Sequence, residues 1–256
     1  MTTRKQPPIQ SITRAISILR CFTEKQELGL TEISNMVGLH KSTAAGIINT
    51  LKDEALIVQN QETGKLRLGI ELYCLAVIAK MELGELVMPF LDHLLMKTNE
   101  TVNLAVRDGI HVVYIEKKES PHSMRICTSV GKRLPLYCTA IGKVILAFMD
   151  EAEREPILDK LIFSPFTDKT ITNKKMLLDA LANIKTKGVA YDFEELESGL
   201  ICIAAPVFDK YNRPIAAVSV SGPSIRMKES VRQQIEQILT SESRAISEQL
   251  VKTPIV

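Results

Sequence analysis

The chain has 256 residues, of which 45% are hydrophobic and 24% charged, an ordinary composition for a globular protein of one or two domains. Its 32 basic and 30 acidic residues leave a formal charge of +2, so there is no globally basic signature. The longest apolar run, 72–79, falls far short of the ~20 residues that span a bilayer, which excludes a transmembrane helix and predicts no membrane partner.

Residues 1–10 are polar, include Pro7-Pro8 and are expected to be disordered. The first 23 residues hold Arg4, Lys5, Arg14 and Arg20 and no acid, which suits a phosphate-contacting arm or first helix and equally a solvated tail. Ser11 is expected to cap a helix whose one face is Ile12, Ala15, Ile16 and Leu19, ending near Phe22–Glu24.

The stretch Leu30–Leu51 reads as two short helices joined by a tight turn. Thr31 is the expected cap of the first, Glu32 sits where the helix dipole favours an acid, and Gly38 is free to take the positive φ of the turn. The second helix opens near His40 and carries Ala44, Ile47, Ile48 and Leu51 on its apolar stripe. Its opposite face has Lys41, Ser42, Ala45, Asn49 and Lys52, short or basic and without an acid. Such a face suits close approach to a DNA major groove, and it also suits an ordinary solvated surface.

After Glu54 the period changes to two. Leu56–Val58 and Lys65–Leu68 read as strands around a turn at Glu62–Gly64, with Leu66 and Leu68 on one side and Lys65 and Arg67 on the other. Three helices and a β-hairpin are the winged helix-turn-helix order, whose wing would offer Lys65 and Arg67 to phosphates. Residues 70–83 are apolar on nearly every face and are expected to form a linker helix that pairs with a second copy, since operators are usually two half-sites.

Downstream, a helix is expected at Leu86–Met96 with Pro89 in its first turn, then a hairpin of Val102–Arg107 and Ile110–Lys117 around Asp108-Gly109. Met124–Thr128 is expected to continue the sheet. Thr139 caps a helix through Phe148, further helices follow near Glu151–Leu161 and Asn173–Lys187, and strands near Val189–Phe193, Ile201–Phe208 and Ile215–Ser221 precede a last helix from about Lys228 to Leu250. The fold class is α+β, with a mixed, largely antiparallel sheet in the second domain. Expected boundaries are 1–69, 70–83 and 84–256.

Within that domain the start of the Thr139 helix offers free N–H groups to a carboxylate or phosphate, or is simply a capped helix. Ser219 and Ser221, two apart on a strand, face one side together with Ile215 and Ala217. Cys21, Cys74, Cys127, Cys138 and Cys202 are odd in number and widely spaced, with no C-x-x-C and no secretory segment. A reducing, cytoplasmic setting is expected, with most of them as small buried hydrophobes. His93, His111 and His122 are scattered, and no dinucleotide, P-loop or metal-ligand motif is present, so neither cofactor, metal nor catalysis is expected.

Taken together, Ser11-Ile-Thr-Arg14-Ala, Leu30-Thr-Glu-Ile-Ser, Gly38-Leu-His-Lys-Ser-Thr43, Glu100-Thr-Val-Asn-Leu-Ala105, Gly131-Lys-Arg-Leu-Pro-Leu136, Thr139-Ala-Ile-Gly-Lys143 and Gly199-Leu-Ile-Cys-Ile-Ala-Ala-Pro-Val207 resemble the IclR-type bacterial transcriptional regulators over essentially the whole chain. The resemblance implies a winged helix-turn-helix domain, a dimerising linker helix and a GAF-like effector domain. The implied partners are a double-stranded DNA operator, expected as an inverted repeat, a small carboxylate metabolite, and further copies of the chain as homodimer or homotetramer. It implies a catabolic regulator, expected to be a repressor and not an enzyme. Arg14, His40, Lys41, Ser42, Thr43, Ala45, Asn49, Lys65 and Arg67 are the expected DNA-contacting residues. By motif the resemblance assigns Ala140 and Ile141 to the ligand carboxylate through backbone N–H groups, and Asp192, Cys202, Ser219 and Ser221 to side-chain contacts. Gly46 stands where such reading helices commonly carry Arg. Spacing leaves open whether Cys202 and the serines share a face. The competing reading is a binding module or a cysteine-dependent enzyme built on Cys202, with a vestigial DNA domain.

Overall fold

The computed structural model describes residues 8–23, 25–78 and 82–252, and divides into two compact units, 1–80 and 81–256. Arg4 and Lys5 of the expected arm and residues 79–81 of the expected linker helix lie outside the described residues.

In the first unit, α1 (Gln10–Arg20), α2 (Leu30–Met36) and α3 (Lys41–Asp53) enclose a core of Ile18, Ile33, Ile48 and Leu51, closed by Ile57 and Leu66. The wing is β1 (Ile57–Gln59) paired antiparallel with β2 (Leu66–Leu68). α1 corrects the expected face: Ile18 is buried and Ala15 and Leu19 lean on it, while Ile12 and Ile16 are exposed. Ser11 lies inside that helix, whose cap position is Ile9. α2 also starts earlier than expected, with Gly29 rather than Thr31 at the cap, because the Glu32 carboxylate reaches back to accept the Gly29 N–H at 2.8 Å. Gly38 takes φ +63° in the turn, where any Cβ would be strained. Leu66 is buried but Leu68 is 41% exposed, so only one of the two wing leucines reaches the core. α4 (Ile70–Ile78) follows.

The second unit opens with α5 (Glu82–Thr98). It begins a turn earlier than expected, so Pro89 falls in its interior; the ring is exposed, where water can replace the missing backbone bond. Then come β3 (Thr101–Asp108), β4 (His111–Lys118), β5 (Arg133–Pro135), α6 (Ala140–Phe148), α7 (Glu151–Leu158), α8 (Lys174–Lys187), β6 (Ala190–Phe193), β7 (Leu200–Phe208), β8 (Pro214–Pro223) and α9 (Glu229–Lys252). Among the described residues the strands form one sheet in the order β5-β4-β3-β8-β7-β6. Every pairing is antiparallel, so the sheet is more uniform than the mixed, largely antiparallel one expected. The β3–β4 loop is Gly109-Ile110 rather than Asp108-Gly109, since Asp108 pairs with His111 and Gly109 carries φ +61°.

Residues 124–128 are not a strand. Side chains take the place of ladder partners there: the Thr101 hydroxyl donates to the Ile126 carbonyl at 3.1 Å and Lys117 Nζ to the Thr128 carbonyl at 2.6 Å.

Helices cover both faces of the sheet. α5 and α9 bury apolar stripes, namely Val87, Leu91 and Leu94 with Ile235, Leu239 and Ile246, against Leu104, Ile203, Val218 and Val220. α6 and α8 cover the other face, where the strands present mostly small side chains, Ala105, Ala190, Ala204 and Ala217. Ile215 packs with the α5/α9 core and not beside Ala217, because the β7–β8 register shifts at Val207/Phe208. Of the five cysteines, all free, only Cys21 and Cys138 are buried; Cys202 is half-buried and Cys74 and Cys127 are exposed, so most are not core residues.

Candidate functional site

The outer face of α3 is open. Lys41, Ser42, Thr43, Gly46 and Asn49 are exposed and Ala45 is half-buried. His40 caps the helix, its Nδ1 accepting the Ser42 N–H at 3.4 Å and lying 2.9 Å from Ser42 Oγ. A Cβ at Gly46 would meet nothing within 4 Å, so the missing side chain leaves a notch in the middle of the face. Lys65 and Arg67 are exposed on β2, and Arg14 on α1. None of Arg14, Lys41, Lys65 and Arg67 is held in a salt bridge among the described residues. Lys52, by contrast, is engaged with the wing, donating to Gln59 Oε1 at 2.9 Å.

In the second unit the strand register settles which residues meet. Asp192 on β6 lies opposite Cys202 on β7, Cys202 opposite Ser221 on β8, and Ser221 opposite Thr101 on β3. One row along, Ala204 faces Ser219, which faces Asn103. Cys202 and the serines therefore share a face, the one beneath α6. Small side chains there, together with the α6 N-terminus, leave a cavity of ≈ 50 Å³ that all six expected effector residues line: Ala140, Ile141, Asp192, Cys202, Ser219 and Ser221. Thr139 Oγ1 accepts the Gly142 N–H at 3.1 Å, so the first-turn amides of Ala140 and Ile141, which have no intrahelical partner, remain for a ligand.

Asp192 is 1% exposed, and burial pushes its carboxyl up to about 7 although Oδ1 accepts the Glu195 N–H at 2.7 Å. Burial also drives the Cys202 thiol above its ordinary range, with the Asp192 charge adding to the effect. A nucleophilic cysteine needs the opposite shift, which weighs against the enzyme reading built on Cys202.

Four neighbours were not anticipated. Thr128, on the coil of residues 124–128, lines the cavity, and its hydroxyl donates to Asn103 Oδ1 at 2.6 Å, while Asn103 Nδ2 donates to Ser221 Oγ at 3.5 Å. Behind the wall, Lys143 of α6 and Glu195 form a buried ion pair. The lysine within the otherwise apolar AIGKVILAF was the available signal, since a cation there has to find a partner. Among the described residues no helix is long and apolar enough to cross a membrane, and no cluster of His, Cys, Asp and Glu is placed to hold a metal ion.

A winged helix-turn-helix with a free basic reading face, carried on the same chain as a sheet-and-helix unit whose cavity is lined by apolar side chains together with Asp192, Thr128, Ser219 and Ser221, defines a ligand-responsive DNA-binding regulator. Residues 11–61 match the family model "IclR helix-turn-helix domain" and residues 75–248 "Bacterial transcriptional regulator IclR C-terminal". The chain belongs to the IclR family of bacterial transcriptional regulators. It is 37% identical to the HTH-type transcriptional regulator XynR of Escherichia coli K12, covering 94% of this chain and 98% of that one. It is 36% identical to KdgR of the same organism, covering 96% and 95%. The crystal structure of the Thermotoga maritima IclR superposes with a TM-score of 0.74 at 29% identity, covering 94% of this chain and 98% of that one.

Proposed function

We propose that the chain is a repressor of a catabolic operon that binds an inverted-repeat operator as a dimer or tetramer and releases it when a small carboxylate fills the cavity. The observation that carries the effector reading is the convergence of Ala140, Ile141, Asp192, Cys202, Ser219 and Ser221 on one enclosed space. Helix amides and hydroxyls that point into a cavity are the donors a carboxylate needs. The exposed stripe of Ile9, Ile12 and Ile16 on α1, with exposed Ile70 and Leu75 on α4, is apolar surface that a second copy of the unit would cover. Residues 70–83 act as the dimerising linker in this reading.

A thermal-shift series with acetate, lactate and benzoate tests the effector half. An acid held at 100 times its Kd adds about 2.7 kcal/mol to the native state. Ser219→Ala/Ser221→Ala is expected to lose that shift, and absence of any shift in the unsubstituted protein counts against the reading. Gel-shift titrations test the DNA half. Lys41→Ala and Lys65→Ala are each expected to weaken binding alike on operator and random duplex and to lower the slope of log Kd against log salt by about 0.9. Unchanged slopes would remove these two cations from the interface.

A further inference from the structure

We propose that the effector enters this cavity together with a proton, which Asp192 takes up, so that the regulator senses an acid and a proton jointly. The inference rests on the cavity being the effector site and follows from its charges. From α6, Lys143 faces this corner, but Glu195, on the loop after β6, neutralises it within a buried pair. Glu197 on the same loop and Lys132 before β5, one of each charge, line the cavity from its solvent-exposed rim. Cys202 on β7, Cys138 just before α6 and Tyr114 on β4 are all kept in their neutral forms by burial. Among the described residues Asp192 is thus the buried carboxyl of the lining, with no salt-bridge partner, and the Lys143 charge only partly counters its burial.

A carboxylate bound at Ala140 and Ile141 would bring a second negative charge into the same enclosed space. Within the buried part of the wall the attraction available is the α6 N-terminus, equivalent to about half a charge, and neutral hydroxyls, with Lys132 out at the exposed rim. Two carboxylates that share a site do not both stay ionised, and one retains a proton. Asp192, already pushed up to about 7 in the empty protein, is the group that gives way, and the proton comes from solvent. Protonated, it turns from an acceptor that repels the ligand into a donor that can hold it. Affinity for the acid should then fall up to tenfold per pH unit above about 7 and level off below it.

Calorimetric titration of the full chain with acetate and lactate at pH 8, in buffers of low and high ionisation enthalpy, reads the proton directly. The expected result is a heat difference equivalent to nearly one proton taken up, together with an infrared band of a protonated carboxyl that grows on binding. Glu248→Gln, exposed on α9 across the sheet from the cavity, should keep both signals. In Asp192→Asn, whatever affinity remains, both should vanish. Binding with equal heats in the two buffers, or uptake that persists in Asp192→Asn, overturns the proposal alone. No binding of either acid in any buffer overturns the reading of the cavity, and the proposal falls with it. Should Asp192→Asn fail to fold, the buffer comparison and infrared band in the unsubstituted protein still decide.

Discussion

Gly142→Ala is expected to destabilise the second unit by about 3 kcal/mol or more and to abolish effector binding, because the new methyl group has nowhere to go. A Cβ there would lie 2.2 Å from the Leu136 carbonyl oxygen and 2.5 Å from Leu136 Cα. Both are backbone atoms, so no side-chain rotation relieves the clash. The glycine is needed for close approach and not for its φ, which lies in the ordinary helical range. It lets the first turn of α6 sit directly on the residues that lead out of β5, and this places Thr139, Ala140 and Ile141 at the cavity. Gly46→Ala is the matched control. It too is a helical glycine, but with open space around it, so the same change should stabilise α3 by about 1 kcal/mol. Urea denaturation of both variants measures the contrast, and two shifts of the same sign would contradict it.

Lys143→Met is expected to cost about 3–5 kcal/mol at pH 8 and distinctly less at pH 5. The substitution leaves Glu195 buried without its cation, and Glu195 Oε2 already lacks a hydrogen-bond partner. Burial holds the Glu195 carboxyl above its ordinary value, with Lys143 the main force pulling it back, so removal of the lysine raises it further. The folded state then binds the proton more tightly than the unfolded one. Stability is therefore fullest below the unfolded-state value and is lost as pH rises through the folded-state one. Lys143→Met/Glu195→Leu should recover most of the loss, because an apolar pair carries no desolvation penalty. Denaturation of the single and double variants at both pH values closes the cycle, and a single variant as stable as the unsubstituted chain at pH 8 would refute the argument.

These two sites also show where sequence reading reaches its limit. The helical period of Ala44, Ile47, Ile48 and Leu51 predicts both the buried and the open side of α3, since both follow from 3.6 residues per turn. Thr139 is legible as a cap, and the β3–β4 hairpin is legible to within one residue from Asp108-Gly109. These features depend on neighbours within a turn or two of chain. The first turns of α1 and α2 differ from expectation, because Ser11 and Thr31 are good caps by type while Ile9 and the Gly29–Glu32 contact take the role in the fold. On α1, Ile12 and Ile16 are as apolar as Ile18, and only the position of α3 decides which of them is buried.

By itself the sequence determined the order of elements apart from the edge strand β5 and the coil at 124–128, the acid-free face of α3 and, through its motifs, the family and the list of residues expected at the effector. The tertiary structure decided that Asp192, Cys202, Ser219 and Ser221 share a side of the sheet, that Asn103 and Thr128 join them, and that Lys143 meets Glu195, 52 residues away in the chain. The division has a physical cause. Local periodicity states which residues of one strand point together, but a slip of one residue between strands reverses the side they share, and only the packing of distant segments fixes that offset.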